Sequence, residues 1–362
     1  MSEVRYSEFA QSMYGRVFDK RVPFDGMLEI TDRCNNRCVH CCVNQDVDDQ
    51  SIRDRELSAQ DIFKILDDIE RRGCMWLLLT GGEPLVRSDF PEIYTYAKKK
   101  GFLISLFTNG TLITPEIVEL LKEWPPYEVE VTLYGASKLV YESITRIPGS
   151  FERCMAGIES LLKASIKVNL KTVITTLNKD EIDRMKAIAK DLGVNFRFDN
   201  VLQSRIDGSK APRRYRISAE DAVRLDMMDA EKRKGWEEYV GMAGDFQASE
   251  LQISCGAGST SFFIDPYGGM AICDMYRAYS RDIKEEGFDS IWDAHFSEIL
   301  KRKHSAGHKC SNCEVGILCD HCAGWAMTEE GDPEAISGYI CDIGHMRKKV
   351  LGSGKLEREV RR

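Results

Sequence analysis

The sequence predicts an α/β protein: a partial (β/α)6 barrel of the TIM type, followed by a small cysteine-rich α+β region. Two observations support this fold class. Apolar, strand-like runs alternate with amphipathic helical segments between residues 26 and 198, a pattern typical of a parallel sheet covered by helices. Thirteen cysteines are present, and seven of them follow residue 250, where the regular alternation has ended.

The six strands of the barrel are predicted from apolar runs, each followed by a helical pattern or a turn. In barrels of this kind the functional loops leave the C-terminal ends of the strands. A helix is predicted to begin at Ser58, whose capping partner is Asp61, and to end at Gly73. The predicted strands are at 26–31, 75–80, 102–107, 129–134, 166–174 and 194–198. The other helices are predicted at 89–100, 114–123, 150–164 and 179–191.

We expect four segments in the 362 residues, a length that suits two domains. The N-terminal extension is too short to fold as a separate recognition domain, so no fused leader-recognition domain is expected. The four segments are an N-terminal extension at 1–24, the barrel at 25–235, the cysteine-rich region at 236–350 and a charged tail at 351–362.

Composition excludes several classes of partner. The chain has 50 basic and 58 acidic residues, a net charge of -8, which disfavours nucleic acid. No stretch approaches the ~18 apolar residues of a membrane span, and the polar N-terminus does not resemble a signal peptide. We therefore expect a cytoplasmic protein without membrane or nucleic-acid partners. In a reducing compartment, its cysteines indicate metal or redox chemistry rather than disulfides.

Three cysteines in one loop follow the first predicted strand. Cys34, Cys38 and Cys41 stand in the run CNNRCVHC, and their spacing allows three thiolates to converge on one metal centre. A 4Fe-4S cluster normally takes four cysteine ligands. An iron without a protein thiolate would have an open coordination position, as catalytic metal centres do.

A second motif, Thr80-Gly81-Gly82-Glu83-Pro84, ends the second predicted strand. Glycines let the backbone approach a ligand closely, and a carboxylate beside exposed backbone groups can hold an ammonium group. Alone, this motif would indicate only a turn between a strand and a helix.

Together the two motifs resemble the radical S-adenosylmethionine (SAM) superfamily. Its signature CxxxCxΦC is met by Cys34, Cys38 and Cys41, with His40 at the usually aromatic position. The resemblance implies a 4Fe-4S cluster whose open iron chelates the amino and carboxylate groups of SAM, and whose reduction cleaves SAM to a 5'-deoxyadenosyl radical. The alternatives are a zinc knuckle completed by His40 or Cys42, or a set of buried thiols.

The resemblance also implies contacts to SAM from residues at the ends of later strands. Glu83 is the expected partner of the SAM ammonium, Thr132 matches a position where related enzymes use a hydroxyl, and Arg146 is a candidate for the SAM carboxylate. The alternative for Arg146 is a solvated arginine. No catalytic residue beyond the cluster ligands is predicted. The predicted cofactor-binding residues are Gly81, Gly82, Glu83, Asn109, Thr132 and Arg146.

The later cysteines form a second pattern. Two CxxC pairs would by themselves indicate a zinc ribbon, and that alternative stays open. The full set resembles the SPASM extension of radical SAM enzymes, which holds two auxiliary iron-sulfur clusters. The resemblance implies that both clusters are 4Fe-4S centres. One departure is the two-residue gap before Cys322, where the family usually has three. The resemblance assigns one cluster to Cys310, Cys313, Cys319 and Cys341. It assigns the other to Cys255, Cys273 and Cys322, with a fourth ligand unspecified.

The remaining thiols and imidazoles are not assigned to a metal. Cys42 is an additional thiol in the first loop, and Cys74 and Cys154 are expected to be buried helix-packing thiols. The histidines outside that loop are expected to be structural or solvent-facing: His295, His304, His308, His321 and His345.

The expected activity is that of a radical SAM oxidoreductase that abstracts hydrogen from a substrate. The favoured substrate is a ribosomally made peptide, cross-linked or dehydrogenated, since auxiliary clusters suit a net oxidation. The alternatives are a small molecule or tetrapyrrole as substrate and, more remotely, an electron-transfer or zinc-binding scaffold. Expected partners are a low-potential donor such as flavodoxin or ferredoxin, a precursor peptide and a separate leader-recognition protein. A basic bridge at 200–217, with Lys210, Arg213 and Arg214, could contact an acidic peptide segment.

Overall fold

The computed structural model describes residues 15–43, 45–241 and 249–352. Most of the predicted N-terminal extension and of the predicted C-terminal tail lies outside these ranges. The described strands form one large sheet and one two-stranded ladder. They are β1 (Asp25–Glu29), β2 (Arg33–Cys34), β3 (Gln45–Asp46), β4 (Trp76–Thr80), β5 (Leu103–Thr108), β6 (Glu128–Thr132), β7 (Val168–Val173), β8 (Asn195–Asp199), β9 (Ser261–Ile264), β10 (Gly269–Ala271) and β11 (Arg281–Asp282).

The partial barrel consists of six parallel strands in the order β1-β4-β5-β6-β7-β8, as predicted. Alternation along each strand separates the two faces of the sheet. In β5, Ile104 and Leu106 are buried in the hydrophobic core, whereas Ser105 and Phe107 line a cavity on the opposite, concave face. The sheet therefore has one face packed by apolar side chains and one face available to a ligand.

The cysteine-rich region continues the sheet of the barrel. Strand β9 pairs in parallel with β1 and places Phe262 beside Gly26, and β10 and β11 extend the sheet in antiparallel fashion. Strands β9 and β10 are joined by a short turn. A Cβ atom on Gly26 would lie 2.6 Å from the Phe262 ring, so the glycine allows this ring to pack across β1. The boundary between residues 235 and 236 stays a prediction, although the sheet spans both regions.

The predicted helices are present, and the capping box of Ser58 and Asp61 is formed. The sequence analysis missed the helix at Lys138–Thr145, which begins where the Ser137 hydroxyl accepts a hydrogen bond from Val140 N. No helix in the described ranges is long and apolar enough to cross a membrane. The helices are at 15–19, Gln50–Arg53, Ala59–Arg71, Phe90–Lys99, Pro115–Glu123, Lys138–Thr145, Ser150–Lys163, Ile182–Leu192, Ala219–Met228, Ala230–Gly241, Ile283–Glu286, Phe288–Ser290, Phe296–Leu300, Ala323–Glu330 and Gly338–Gly352, with a π-helical turn at Ile291–His295.

Lys171 lies inside the barrel, and its partner comes from the neighbouring strand. Its Nζ lies 3.5 Å from Oε2 of Glu130. The other carboxylate oxygen of Glu130, Oε1, accepts a hydrogen bond from Arg197 Nε at 3.0 Å. Burial lowers the pKa of Lys171 to about 7, and the charge of Glu130 opposes that shift. The pattern along β7 could not reveal this partner, because Glu130 lies on β6.

A buried arginine joins the barrel to the C-terminal helix. Arg347 Nη2 lies 3.0 Å from the Asp226 carboxylate, and both side chains are only 2% exposed. The other terminal nitrogen of Arg347 donates to Leu318 O at 3.1 Å and to Asp320 at 2.6 Å. Asp226 also accepts from Asn200 Nδ2 at 2.8 Å. Removing Asp226 would leave a buried guanidinium without its buried counter-charge.

We therefore expect Asp226→Ala to lower the free energy of unfolding by about 3 kcal/mol. The matched control is Asp320→Ala, because Asp320 binds the same arginine but is 45% exposed. Its loss should cost about 1 kcal/mol or less, as for exposed ion pairs. Thermal unfolding of the anaerobic protein measures both changes. Equal losses of stability in the two variants would contradict the role given to the buried pair.

Candidate active site

The loop that carries Cys34, Cys38 and Cys41 follows β1 at the C-terminal edge of the barrel. A two-residue parallel ladder closes it, with Arg33 beside Gln45 and Cys34 beside position 46. The three cysteines are thiols rather than disulfides. The structure thus holds the three predicted ligands in one short, closed loop.

The helix at Lys138–Thr145 supports the cysteine loop from one side. Arg37 N donates to Thr145 O at 2.8 Å, and Val39 N donates to Ile144 O at 3.0 Å. The last carbonyl groups of a helix have no partner within the helix. Here they bind the loop backbone between the cysteines, so the helix that the sequence analysis missed fixes the shape of the loop.

The two glycines of the second motif support the loop from below. Gly82 N donates to Thr31 O at 2.7 Å, and Glu83 N donates to Arg33 O at 2.9 Å. A Cβ atom on Gly81 would lie 2.2 Å from Thr31 O, and one on Gly82 would lie 2.5 Å from Arg33 O. Gly81 also has φ +152. The backbone of this motif therefore packs directly against the backbone of the cysteine loop, a contact that side chains at either position would prevent.

The Glu83 carboxylate is fully buried behind the cysteine loop. It accepts hydrogen bonds from Thr108 Oγ1 at 2.9 Å, from Asn109 N at 2.7 Å and from Leu85 N at 3.1 Å. Burial raises its pKa to about 7, and these hydrogen bonds oppose the shift. Glu83 thus joins the ends of β4 and β5. Its predicted pairing with the SAM ammonium stays a prediction, and this positioning role is additional to it.

Asn109 connects Glu83 to the first cysteine. Its Nδ2 donates to Cys34 Sγ at 3.7 Å and to Asn35 Oδ1 at 2.8 Å. Burial raises the pKa of Cys34 to about 12, and the nearby Glu83 charge adds to the shift. Binding of iron would displace the thiol proton, as metal binding to cysteine does generally.

The two other predicted SAM contacts lie at the edge of this group. Thr132 ends β6 and pairs in register with Lys171. Arg146 ends the supporting helix, where it is exposed and adopts a left-handed backbone conformation with φ 61. The structure therefore gathers Gly81, Gly82, Glu83 and Asn109 against the loop and places Thr132 and Arg146 on flanking elements. Their roles toward SAM stay predictions.

Tyr134 is a residue of the site that the sequence analysis missed. Its hydroxyl hydrogen-bonds to Cys38, and its ring packs edge-on against His40 with ring centroids 4.9 Å apart. His40 is buried, and burial lowers its pKa to about 4. The signal available in the sequence was an aromatic residue two positions after Thr132, at the end of a predicted strand.

Orphaned polar atoms in the loop fit a bound group at this position. His40 Nδ1 and both side-chain polar atoms of Asn36 are buried without a hydrogen-bond partner among the described residues. Buried polar groups rarely stay unpaired unless a ligand or water satisfies them. Three thiols in a closed loop also match the donor set of a 4Fe-4S cluster that leaves one iron open.

The seven later cysteines line a second cavity, of about 360 Å³. Burial, followed by the charge of Asp274, raises the pKa of Cys273 to about 12. The thiols of Cys322 and Cys255 add smaller contributions, so these three thiols lie close together. The thiols of the other predicted cluster are likewise mutual neighbours. Burial raises the pKa of Cys310, and the neighbouring thiols of Cys313 and Cys341 raise it further. Burial also raises the pKa of Cys319 to about 11, with smaller contributions that include Cys341 and Cys310.

The structure thus brings together the thiols of each predicted group, although their assignment to individual clusters stays a prediction. Cys322 is the N-cap of the helix at Ala323–Glu330, and its Sγ accepts a hydrogen bond from Trp325 N at 3.3 Å. A helix N-terminus stabilises a thiolate, which suits a metal ligand. Cys74 and Cys154 are buried in the hydrophobic core. His304, His308 and His321 also line the cavity, and their expected structural role stays a prediction.

Comparison with known proteins agrees with this arrangement. The family model of the radical SAM superfamily matches residues 28–192, and the model of the SPASM iron-sulfur cluster-binding domain matches residues 255–314. The chain is a radical SAM/SPASM enzyme. It accordingly uses 4Fe-4S clusters and SAM, and the first matched region contains the cysteine loop and the Gly81-Gly82-Glu83 motif.

Curated relatives cover most of the chain. The AdoMet-dependent heme synthase of Methanosarcina barkeri is 28% identical over 336 residues, which are 84% of this chain and 92% of the relative. The mycofactocin maturase MftC of Mycolicibacterium smegmatis is 28% identical over 334 residues, which are 86% of this chain and 82% of the relative. These radical SAM/SPASM relatives therefore include proteins with different substrates.

Solved structures share the fold. SuiB of Streptococcus suis, bound to its precursor peptide SuiA, superposes with a TM-score of 0.70 at 15% identity, covering 94% of this chain and 82% of that chain. The protein anSMEcpe, with bound AdoMet and a peptide, has a TM-score of 0.66 at 17% identity, covering 92% and 98%. At these identities the likeness establishes the architecture alone.

The close packing under the cysteine loop predicts the effect of Gly82→Ala. Its Cβ would collide with two carbonyl oxygens of the loop, so the loop must move and the first cluster should be lost, a decrease of ~4 irons per chain. Iron analysis after anaerobic reconstitution measures this loss. Gly235→Ala is the matched control, because nothing lies within 4 Å of its added Cβ. Full iron content in Gly82→Ala would show that the close approach is not required.

The grouping of the cysteines predicts the iron content. Three clusters of ~4 irons give about twelve irons and twelve sulfides per chain. Replacing Cys34, Cys38 and Cys41 with alanine should leave about eight irons and abolish reductive cleavage of SAM. Replacing Cys310 and Cys313 should preserve part of that cleavage but abolish product formation.

Colorimetric iron and sulfide assays, with chromatography of 5'-deoxyadenosine, measure these outcomes. About four irons per chain in the unmodified protein, with zinc on the later cysteines, would overturn the auxiliary-cluster assignment.

Proposed function

We propose that this enzyme modifies a ribosomally made peptide by abstracting a hydrogen atom from one of its side chains, leading to a cross-link or a dehydrogenation. The observation that carries the proposal is the cavity on the concave face of the sheet. Its volume of about 380 Å³ lies near the lower end of the ~300–1,000 Å³ typical of ligand sites. Such a space suits one or two side chains of an extended chain.

The lining of this cavity supports a peptide over a tetrapyrrole. It combines apolar side chains, including Met27, Leu78 and Phe107, with the carboxylates of acidic residues, and no basic residue is among the described residues that line it. The carboxylate groups of a tetrapyrrole would find no cationic partner among these lining residues, so the cavity lacks the charge complementarity that would hold them. Uncharged side chains need no such partner. The acidic lining residues are Asp25, Glu128, Glu130 and Asp274.

The cavity is lined by residues of the barrel and of the cysteine-rich region. At one end it is lined by Phe107, which precedes Thr108, the partner of Glu83. Toward the cysteine-rich region it is lined by Cys273 and Asp274. A substrate side chain held here would therefore lie beside Cys273, a predicted ligand of an auxiliary cluster, which supports an oxidative reaction.

A buried ion pair sets the relative position of the two regions. Both terminal nitrogens of Arg277 bind the Glu29 carboxylate, at 2.9 and 3.0 Å, and Arg277 Nε donates to Asp274 O at 2.8 Å. Glu29 ends β1, directly before the cysteine loop, and Asp274 directly follows Cys273. Arg277 therefore fixes the segment of Cys273 to the strand that carries the first loop.

The residues of the chain would bind and orient the substrate and exclude water, while the bound cofactors supply the reactive species. The bound cluster and SAM would supply a 5'-deoxyadenosyl radical that takes a hydrogen atom from a substrate carbon. Met27, Leu78 and Phe107 would hold the substrate side chain by apolar contact. Lys171 lies behind Phe107 and pairs with Glu130, so it would hold this part of the cavity wall in place.

The basic bridge offers less support than the sequence indicated. Lys210 Nζ lies 3.0 Å from Glu330, and Arg213 lies 3.4 Å from Glu329 and 3.2 Å from Glu330. Arg216 also pairs with Glu329. These cations already neutralise carboxylates of the helix at Ala323–Glu330, so the peptide should be bound mainly by the cavity and not by this bridge.

The substrate test compares two compounds on one enzyme. A precursor peptide encoded beside the gene should raise the release of 5'-deoxyadenosine several-fold above the rate without substrate, and mass spectrometry should show loss of two hydrogen atoms. Fe-coproporphyrin III, a carboxylated iron porphyrin chosen because a relative is an AdoMet-dependent heme synthase, should give no increase. Stimulation by the porphyrin and none by the peptide, even with a leader-recognition protein supplied, would favour the tetrapyrrole function.

A cavity-filling variant controls for the site of binding. Ser105→Trp places an indole in the cavity, and it should abolish peptide modification while the slow cleavage of SAM without substrate continues. Normal peptide modification by this variant would show that the substrate binds elsewhere.

A further inference from the structure

We propose that His304, His308 and Glu334 form a mononuclear site for a divalent transition metal of the zinc class, separate from the iron-sulfur centres. One imidazole nitrogen from each histidine and one carboxylate oxygen of Glu334 lie within 4.8 Å of one another. To reach the ~2.0–2.2 Å metal distances of zinc sites, the three side chains must move together and the two imidazole rings must rotate, because an imidazole binds a metal ion in the plane of its ring.

The two imidazole rings pack face to face. They stack with centroids 4.1 Å apart and an interplanar angle of 1°. His304 Nδ1 is buried without a hydrogen bond to any described residue, although Glu334 Oε1 lies only 3.4 Å away. A buried ring nitrogen that lies 3.4 Å from a carboxylate oxygen, without a well-aligned hydrogen bond to it, is an environment that a bound cation would satisfy.

Backbone hydrogen bonds fix the three ligands. Ser305 N donates to Glu334 Oε1 at 2.6 Å, which orients the carboxylate. His304 N donates to Glu250 O at 2.9 Å, and His308 N donates to Ser305 O at 3.1 Å. Such outer contacts pre-orient metal ligands and strengthen binding. The site is therefore built from anchored segments and does not depend on long, freely moving side chains.

The donor set selects the kind of ion. Two imidazoles and one carboxylate are a common zinc ligand set, and the fourth position is left to water or another group. Calcium and magnesium prefer oxygen ligands throughout. Iron-sulfur clusters are held chiefly by thiolates, which this set lacks.

The position of the site indicates a structural role. His308 stands two residues before Cys310, and Glu334 precedes the helix at Gly338–Gly352 that carries Cys341. A metal ion shared by these segments would hold Cys310 and Cys341 in reach of each other. His304 and His308 line the same cavity as the seven cysteines, so the ion would reinforce the wall of that cavity.

Zinc binding to the cluster-loaded enzyme tests this inference. Anaerobically reconstituted protein is titrated with Zn²⁺ against a chromophoric chelator, and iron is assayed before and after. We expect one tight zinc site per chain with no loss of iron. His304→Ala and His308→Ala should each weaken zinc binding at least tenfold. Loss of a residue that only contacts a metal ligand already weakens metal binding by ~10–100-fold, and these variants lose a ligand itself. His345→Ala is the matched control, because His345 is an exposed histidine of the same region and should bind zinc normally.

Two further readouts separate a metal site from a folding effect. Zinc should raise the melting temperature of the unmodified protein but not that of the conservative variant Glu334→Gln. X-ray absorption at the zinc edge should show nitrogen and oxygen neighbours.

Three results would overturn the inference: no stoichiometric zinc in the cluster-loaded protein, unchanged zinc affinity in both histidine variants, or sulfur neighbours at the zinc edge. Loss of iron without loss of zinc in His308→Ala would also overturn it, because His308 would then serve an iron-sulfur cluster. The iron assay keeps each of these outcomes distinct from a failure of the proposed peptide modification.

Discussion

The close approach of two backbone segments is the constraint on which the candidate active site depends. Gly81 and Gly82 lie so near the carbonyl groups of residues 31–33 that any side chain would occupy the same space. The resulting hydrogen bonds fix the cysteine loop to the end of β4, and the buried Glu83 carboxylate connects that loop to the end of β5. A flexible loop could not hold three thiols in a fixed arrangement, and these contacts remove its freedom before any metal binds.

The same logic extends toward the cysteine-rich region. Arg277 joins β1 to the segment of Cys273, and Arg347 joins the helix at Ala219–Met228 to the C-terminal helix. Both arginines are held by carboxylates away from solvent, where the loss of one partner is costly. Electron transfer and radical chemistry require fixed distances between centres, and buried ion pairs of this kind impose fixed distances. The two regions thus share a framework of charges as well as a sheet.

Much of the fold could be predicted from the sequence because its signals are local. Strands such as β5 are short apolar runs, and helices such as Ala59–Arg71 begin with their own capping residues. The cysteine spacing likewise identified both groups of thiols. The partner of Lys171 and the contact of Tyr134 with Cys38 depend on neighbouring strands and on loop geometry, which no spacing in the sequence encodes. His304 and His308 had a visible four-residue spacing, but their third partner, Glu334, lies in a distant segment.

The parallel pairing of β9 with β1 determines which strands form the edges of the sheet. Without β9, the unpaired backbone groups of β1 would offer a template for association with other chains. The two strands that do form the edges are protected differently: β11 has only two residues, and β8 presents the polar side chains of Asn195, Arg197 and Asp199. During synthesis β1 emerges long before β9, so a nascent barrel has an open edge until the cysteine-rich region follows. Protection against aggregation is therefore a property of the whole chain, and the region that binds the auxiliary clusters also completes the barrel that precedes it.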